Sequence, residues 1–288
     1  MFRTNVNLLF VFASLLFLFF LMSCKNNSVP AVSDAEPVNI IFLHHSTGHV
    51  VWKGQSGGIR GLLGKKEAIP TWFSEYNQSN GTNYVISEQN FPKAQPYGWN
   101  NYPYDYYNIW VQNAGSQAYK DEPTLEMLTA DYDVIIFKHC FPVSNILEDT
   151  GNPDPASPEK RMENYRAQYD SLKVKLNSFP NTRFILWTAA AHVKSNATEQ
   201  EAMRTKEFVD WVINEWDKPE DNIYLWDFYA LETEGELFLK EEYSAKKGDS
   251  HPSAKFGERV APLFASRIVD VIENNGTTTN LKGEKNNK

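Results

Sequence analysis

The stretch Val38-Asn39-Ile40-Ile41-Phe42-Leu43-His44-His45-Ser46-Thr47-Gly48 decides the fold. Its first seven residues form a short apolar run, with the length and composition of a strand buried on both faces. Comparable runs recur at residues 84–88, 133–138, 183–187 and 222–226. Helical patterns separate them at 59–65, 123–130, 157–177 and 198–216, and a last helix follows His251-Pro252-Ser253 and ends near Glu273. Ser157 before Pro158 reads as a helix N-cap with proline in the first turn. Strands alternating with helices imply a parallel five-stranded sheet covered on both faces, a three-layer α/β/α sandwich of flavodoxin-like type with right-handed connections. Ligands bind such sheets beyond the carboxyl ends of the strands, so the residues standing there are the informative ones.

The composition agrees with one folded domain. Of 288 residues, 42% are hydrophobic and 22% charged, which excludes a disordered or low-complexity chain. With 2 Cys it is not a disulfide scaffold. A formal charge of -8 argues against nucleic acid as a partner, because neutralising phosphates needs a basic face.

The two ends of the chain read differently from its middle. After Arg3, residues 8–22 are apolar apart from Ser14. That run is shorter than the roughly 20 residues a spanning helix needs, as in a secretory signal segment. It closes Leu21-Met22-Ser23-Cys24, which resembles the bacterial lipobox, in which the Cys carries the lipid. The resemblance implies a signal peptide over 1–23, lipidation at Cys24, a membrane anchor and a place in the bacterial cell envelope. Residues 24–37, rich in Asn, Ser, Pro and Ala, read as a flexible tether. Residues 38–275 read as the domain and 276–288 as a disordered tail.

At the predicted strand ends stand His44-His45-Ser46-Thr47-Gly48, Lys138-His139-Cys140, Thr188 to His192, Asp227, and Asp249-Ser250-His251-Pro252. Five of the six His thus gather at one edge. A Ser hydroxyl becomes a nucleophile when an imidazole takes its proton and a carboxylate fixes the imidazole tautomer. Thr47-Gly48 lets the backbone turn tightly after Ser46 and exposes the hydroxyl.

This arrangement resembles the SGNH (GDSL-like) hydrolase superfamily of esterases and deacetylases, over nearly the whole span 38–273. There a nucleophilic Ser follows the first strand and the catalytic His, in an Asp-x-x-His-Pro context, precedes the last helix. The resemblance implies Ser46 as nucleophile and His251 as base. The acid is Asp249, two residues before the His rather than three, with Asp227 as the alternative. The family's Gly-Asp-Ser is His44-His45-Ser46 here, and its Gly-x-Asn-Asp after the third strand is missing. Gly98, in Tyr97-Gly98-Trp99-Asn100-Asn101, together with Asn101 or Asn145 and the Ser46 N–H, stands in for the oxyanion donors. His45 and His139 are read as lining the substrate site, with His192 as pocket wall. No cofactor is implied.

Several readings compete with these. Ser46 and His251 are also residues that cap or pack helices, Asn residues favour turns, and Cys140 at a strand end is a small buried hydrophobe. The aromatic-rich segment 92–113 reads as a long ordered loop whose rings stack either on sugars or on one another. The expected activity is a lipid-anchored Ser hydrolase removing an acyl group from an extracellular carbohydrate. The alternatives are a non-catalytic glycan binder of the same fold, and a metal hydrolase using the strand-edge His, although no H-E-x-x-H spacing is present.

Overall fold

The computed structural model describes residues 35–56, 64–93, 95–98 and 101–286. The signal segment, Cys24, most of the tether and most of the helix expected at 59–65 lie outside them.

Five strands, β1 (Val38–His44), β2 (Tyr84–Asn90), β3 (Val134–Phe137), β4 (Arg183–Trp187) and β5 (Ile223–Trp226), pair in the order β2-β1-β3-β4-β5, all parallel. This is the doubly wound, flavodoxin-like arrangement. The chain leaves β1 toward one edge and returns to the other side of β1 through β3, which opens a crevice at their carboxyl ends.

The period-two alternation of the strands sorts the core. Ile40, Phe42, Val134, Ile136, Ile185 and Trp187 face one layer, made of α1 (Ser46–Lys53), α2 (Ala68–Asn80) and α8 (Ala254–Asn274). Ile41, Leu43, Ile135, Phe137, Phe184 and Leu186 face the other, which holds α3 (Pro103–Tyr107), α4 (Leu125–Asp131), α5 (Met162–Asn177) and α6 (Glu199–Trp211). A further short helix, α7 (Phe228–Thr233), follows β5.

Three expectations are corrected. Segment 92–113 is not all loop. Pro103 opens α3, and the Asp105 carboxylate collects the N–H groups of Asn101 (2.7 Å) and Tyr102 (3.4 Å), which holds the entry to that helix. Ser157 does not cap α5: its hydroxyl takes the Glu159 N–H in a local turn, and the helix starts five residues later. The C-terminal residues are docked rather than frayed through 286. Buried Asp270 accepts from the Thr278 and Thr279 backbone and hydroxyls, and buried Arg267 donates to the carbonyls of Gly276 and Leu225. The Asp227 N–H and the Trp226 indole bond the carbonyls of Leu281 and Lys282. A polar composition predicts fraying only where no buried partner waits for it, and here an ion pair in α8 does.

Candidate active site

Ser46 is the first residue of α1, directly beyond the buried His44-His45 end of β1. A helix leaves its first N–H groups without intrahelical partners, so the Ser46 N–H is one of these. Two close approaches hold this helix. A Cβ on Gly48 would come within 2.5 Å of His44 Cβ, and one on Gly257 within 2.4 Å of the Val50 carbonyl oxygen. The first seats α1 on the strand it leaves, and the second lets α8 cross it at backbone contact.

His251 stands three residues before α8, its ring one-third exposed. Its Nε2 is 2.9 Å from Ser46 Oγ and its Nδ1 2.7 Å from Asp249 Oδ1. The same carboxylate oxygen accepts the His251 backbone N–H at 2.9 Å. That local turn is what lets an acid two residues away reach the imidazole. The bond from the His251 N–H, with the imidazole behind it, holds the Asp249 carboxyl below its ordinary value. Asp227 is elsewhere: its Oδ1 caps α7 at Ala230 N and takes the Thr188 hydroxyl, and burial pushes its pKa up.

The other expected site residues divide. The half-buried Asn145 follows the short 3-10 turn of Phe141–Ser144, and its Oδ1 is 3.1 Å from His192 Nε2. The Phe141 ring lies 5.2 Å from the His192 ring and 4.8 Å, edge-on, from that of His251, so the two imidazoles share one wall. Gly98 is half-buried at φ +76, and no hydrogen bond joins it to Ser46 or His251 among the described residues.

Asn101, His45 and His139 are corrected from substrate contacts to interior residues. Asn101 is fully buried at φ +55, a conformation Asn tolerates better than most residues. Its Oδ1 takes the Cys140 N–H at 2.5 Å and its Nδ2 donates to the Phe91 carbonyl at 2.9 Å, which ties the end of β3 to the end of β2. His45 turns inward to the Pro92 carbonyl (2.5 Å), and burial drives its pKa down to about 4. His139 is enclosed against the Tyr169 hydroxyl at 2.7 Å, and burial holds it neutral. A period-two strand sends alternate residues to the core even at its end, and sequence position cannot separate a rim His from an interior one.

Beneath Ser46 lies a buried polar group the sequence does not announce. Cys140 Sγ is 4.0 Å from Ser46 Oγ and 3.2 Å from Lys138 Nζ. Burial alone would raise the Cys140 thiol, but the Lys138 ammonium and the Thr47 N–H outweigh it and the net shift is downward. Burial lowers Lys138 and pushes Glu232, which accepts the Ala191 N–H, well above the carboxylate range. The alternation apolar-Lys-His-Cys after β3 is the only trace of this group in the sequence.

His44 is also interior. Its ring nitrogens meet the His45 carbonyl and the Glu88 carboxylate, each at 2.8 Å. Burial works against the Glu88 charge, yet the bonds from His44 and His49 hold its carboxyl down at about 2. Among the described residues no group of three or more His, Cys, Asp or Glu is placed to hold a metal ion.

Of the aromatic segment, Tyr102, Tyr106, Ile109 and Trp110 are buried, and Phe91, Tyr106, Trp110 and Phe137 pack ring against ring. Tyr97, Tyr104 and Tyr107 keep partly exposed faces. The segment is therefore mainly a packing unit, anchored to the site through the Tyr106 hydroxyl on the Lys138 carbonyl at 2.6 Å.

No protein-family model and no curated protein matches the sequence. Among the solved structures this chain resembles is one at a TM-score of 0.36 and 14% identity, over 81% of this chain and 65% of its own, described as "The active site of a carbohydrate esterase displays divergent catalytic and non-catalytic binding functions". This chain thus spans about 65% of the length of that one.

Proposed function

We propose that this protein is a serine hydrolase of SGNH type that removes an acyl group from an extracellular carbohydrate. We further propose that a lipid on Cys24 anchors it in the bacterial cell envelope. The observation that carries the enzymatic reading is the run Ser46 Oγ, His251, Asp249, with contacts of 2.9 and 2.7 Å. Asp249 receives the Nδ1–H of His251 and so leaves Nε2 with the lone pair that faces Ser46 Oγ. As Ser46 Oγ bonds to the ester carbonyl carbon, its proton passes to Nε2 and Asp249 stabilises the imidazolium. The imidazolium then protonates the leaving sugar oxygen as the C–O bond breaks. Water, activated by the same nitrogen, releases the acid from the Ser46 ester.

The negative charge on the carbonyl oxygen needs preset donors. The Ser46 N–H at the start of α1 and the Asn145 amide supply them. Cys140 is too enclosed to attack substrate, and supports the nucleophile from below. The partly exposed faces of Tyr97, Tyr104 and Tyr107, on the segment tied to β3, favour a sugar over a purely aliphatic ester.

The test is fluorophosphonate labelling of the folded protein beside Ser46→Ala, with acetate release from acetylated polysaccharides measured in parallel. Labelling and acetate release by the wild type, both lost in the variant, support the reading. A folded wild type that the reagent does not label refutes it.

A further inference from the structure

We infer that His192 and Ser250 are positioning residues that hold the Asn145 amide as an oxyanion donor, so that the tripeptide Asp249-Ser250-His251 aligns both arms of the site. The inference rests on the Ser46 hydrolase reading.

The hydrogen-bond geometry admits one consistent arrangement of protons. Ser250 is buried, and its Oγ lies 3.3 Å from the Val193 N–H, 3.1 Å from Asn196 Nδ2 and 2.9 Å from His192 Nδ1. The first two are donors and fill both lone pairs of the hydroxyl. Its own proton must then go to His192 Nδ1, which makes Nδ1 the acceptor and puts the ring proton on Nε2. Nε2–H in turn requires an acceptor, and the Asn145 oxygen, 3.1 Å away, is one. With the Asn145 amide reversed, Nε2 would have to accept and Nδ1–H would donate. The Ser250 oxygen would then face three donors and its own proton would have no acceptor. The network therefore selects the amide orientation by counting protons and lone pairs.

The consequence is at the other end of the amide. With Oδ1 taken by His192, Asn145 Nδ2 has no hydrogen-bond partner among the described residues, and Asn145 is partly exposed. An N–H pair is thus oriented by its neighbour and left open. It stands on the rim of the site: Phe141 packs on both His192 and His251, and the turn that ends at Asn145 begins beside Cys140, 4.0 Å from the nucleophile. Burial drives His192 down to about 4, so the ring stays in the neutral form this network needs at neutral pH.

The alternation along residues 249–251 gives the device its logic. Asp249 bonds His251, and Ser250, between them in sequence, turns the opposite way to bond His192. One short loop therefore sets the base that activates Ser46 and, through two hydrogen bonds, the donor that receives the developing charge. A preset donor costs nothing to orient at the moment of reaction, whereas a free Asn rotamer must be ordered then.

The test compares wild type, Asn145→Ala, His192→Ala, Ser250→Ala, Ser250→Thr and the Asn145→Ala/His192→Ala double variant. Each is assayed for fluorophosphonate labelling rate and for kcat and KM on 4-nitrophenyl acetate, with its thermal midpoint measured alongside. Asn145→Ala is expected to lower kcat about 100-fold with KM within twofold, the size of effect known for one oxyanion donor. His192→Ala should lower kcat at least tenfold, and the double variant should be no slower than Asn145→Ala alone. Ser250→Ala should fall several-fold, and Ser250→Thr, which keeps the hydroxyl, should recover most of the loss. Rates that multiply in the double variant, or wild-type labelling rates in folded His192→Ala and Ser250→Ala, would overturn the inference while leaving the hydrolase reading intact. A wild type that is folded yet unlabelled would overturn both. Ser250→Ala removes one atom and keeps the test decisive if His192→Ala does not fold.

Discussion

Replacing Gly257 by alanine asks whether the Ser46–His251 contact depends on how closely α8 crosses α1. Gly257 lies in the first helical turn after the Ser253 cap, and its Cα faces the backbone of Val50. An added Cβ would stand 2.4 Å from the Val50 carbonyl oxygen and 2.9 Å from the carbonyl carbon and Cγ1. Ordinary contact begins near 3.4 Å, so the helices must separate by about 1 Å, and two backbones cannot yield as a flexible side chain would. Ser46 sits four residues before Val50 on α1, and His251 six residues before Gly257. A separation of that size acts directly on a 2.9 Å contact.

Misplacement of reacting groups by about 1 Å costs on the order of 100-fold in rate. Overpacking costs about 1–3 kcal/mol, offset in part by roughly 1 kcal/mol from the better helix propensity of Ala. The expected variant is therefore folded, up to about 2 kcal/mol less stable in urea titration, and 10- to 100-fold slower in labelling and in kcat. A folded Gly257→Ala protein that labels at the wild-type rate would refute the claim that this crossing sets the catalytic geometry.

Other outcomes follow from the same geometry. Asp249→Asn keeps the shape of the turn but loses the charge that stabilises the imidazolium, so kcat should fall by about 10³- to 10⁴-fold with little change in unfolding midpoint; loss below tenfold would point to another acid. Cys140→Ala should retain Ser46 labelling, since the thiol is no nucleophile, yet lose about 1–3 kcal/mol because buried Lys138 loses its nearest partner; abolished labelling in a folded variant contradicts this. Two buried imidazoles should make acid destabilising. His45 and His192 are held neutral to about 4 in the fold, whereas unfolded they protonate near 6.5. Below pH 6.5 the unfolded chain therefore binds protons that the native state refuses, and stability falls steadily toward pH 4. The loss should be roughly 1–2 kcal/mol per His after allowing for solvent at the partly accessible rings. A urea midpoint unchanged between pH 7.5 and 4.5 would exclude it.

Much of the architecture is legible in the chain because buried parallel strands announce themselves. Val38 to His44 and Arg183 to Trp187 are strands at the bounds their apolar runs indicate, and the others differ by one or two residues at an end. Helix α2 is not legible. Its sequence AIPTWFSEYNQSN carries a proline and few strong helix formers, and Ile69 and Phe73, one turn apart, bury its inner face. Helix α3 is hidden by its aromatic content, since its stability comes from rings packed beneath β3 rather than from propensity.

The sequence by itself determined the parallel α/β sandwich and that Ser46 and His251 stand near the carboxyl edge of the sheet. Both follow from local facts, since hydrophobic period reports burial and a residue just past a strand must lie at its end. Tertiary structure alone decided which polar residues at that edge face outward. His45 and His139 stand at strand ends as Ser46 does, yet their side chains and that of Asn101 are engaged by Cys140, Phe91, Pro92 and Tyr169, partners 10 to 47 residues away. It also decided that Asp249 rather than Asp227 meets the imidazole, and that Arg267 and Asp270 tie down a polar tail. A hydrogen bond is directional and spends its donor once, so which groups remain for a substrate emerges only when the partners have been brought together.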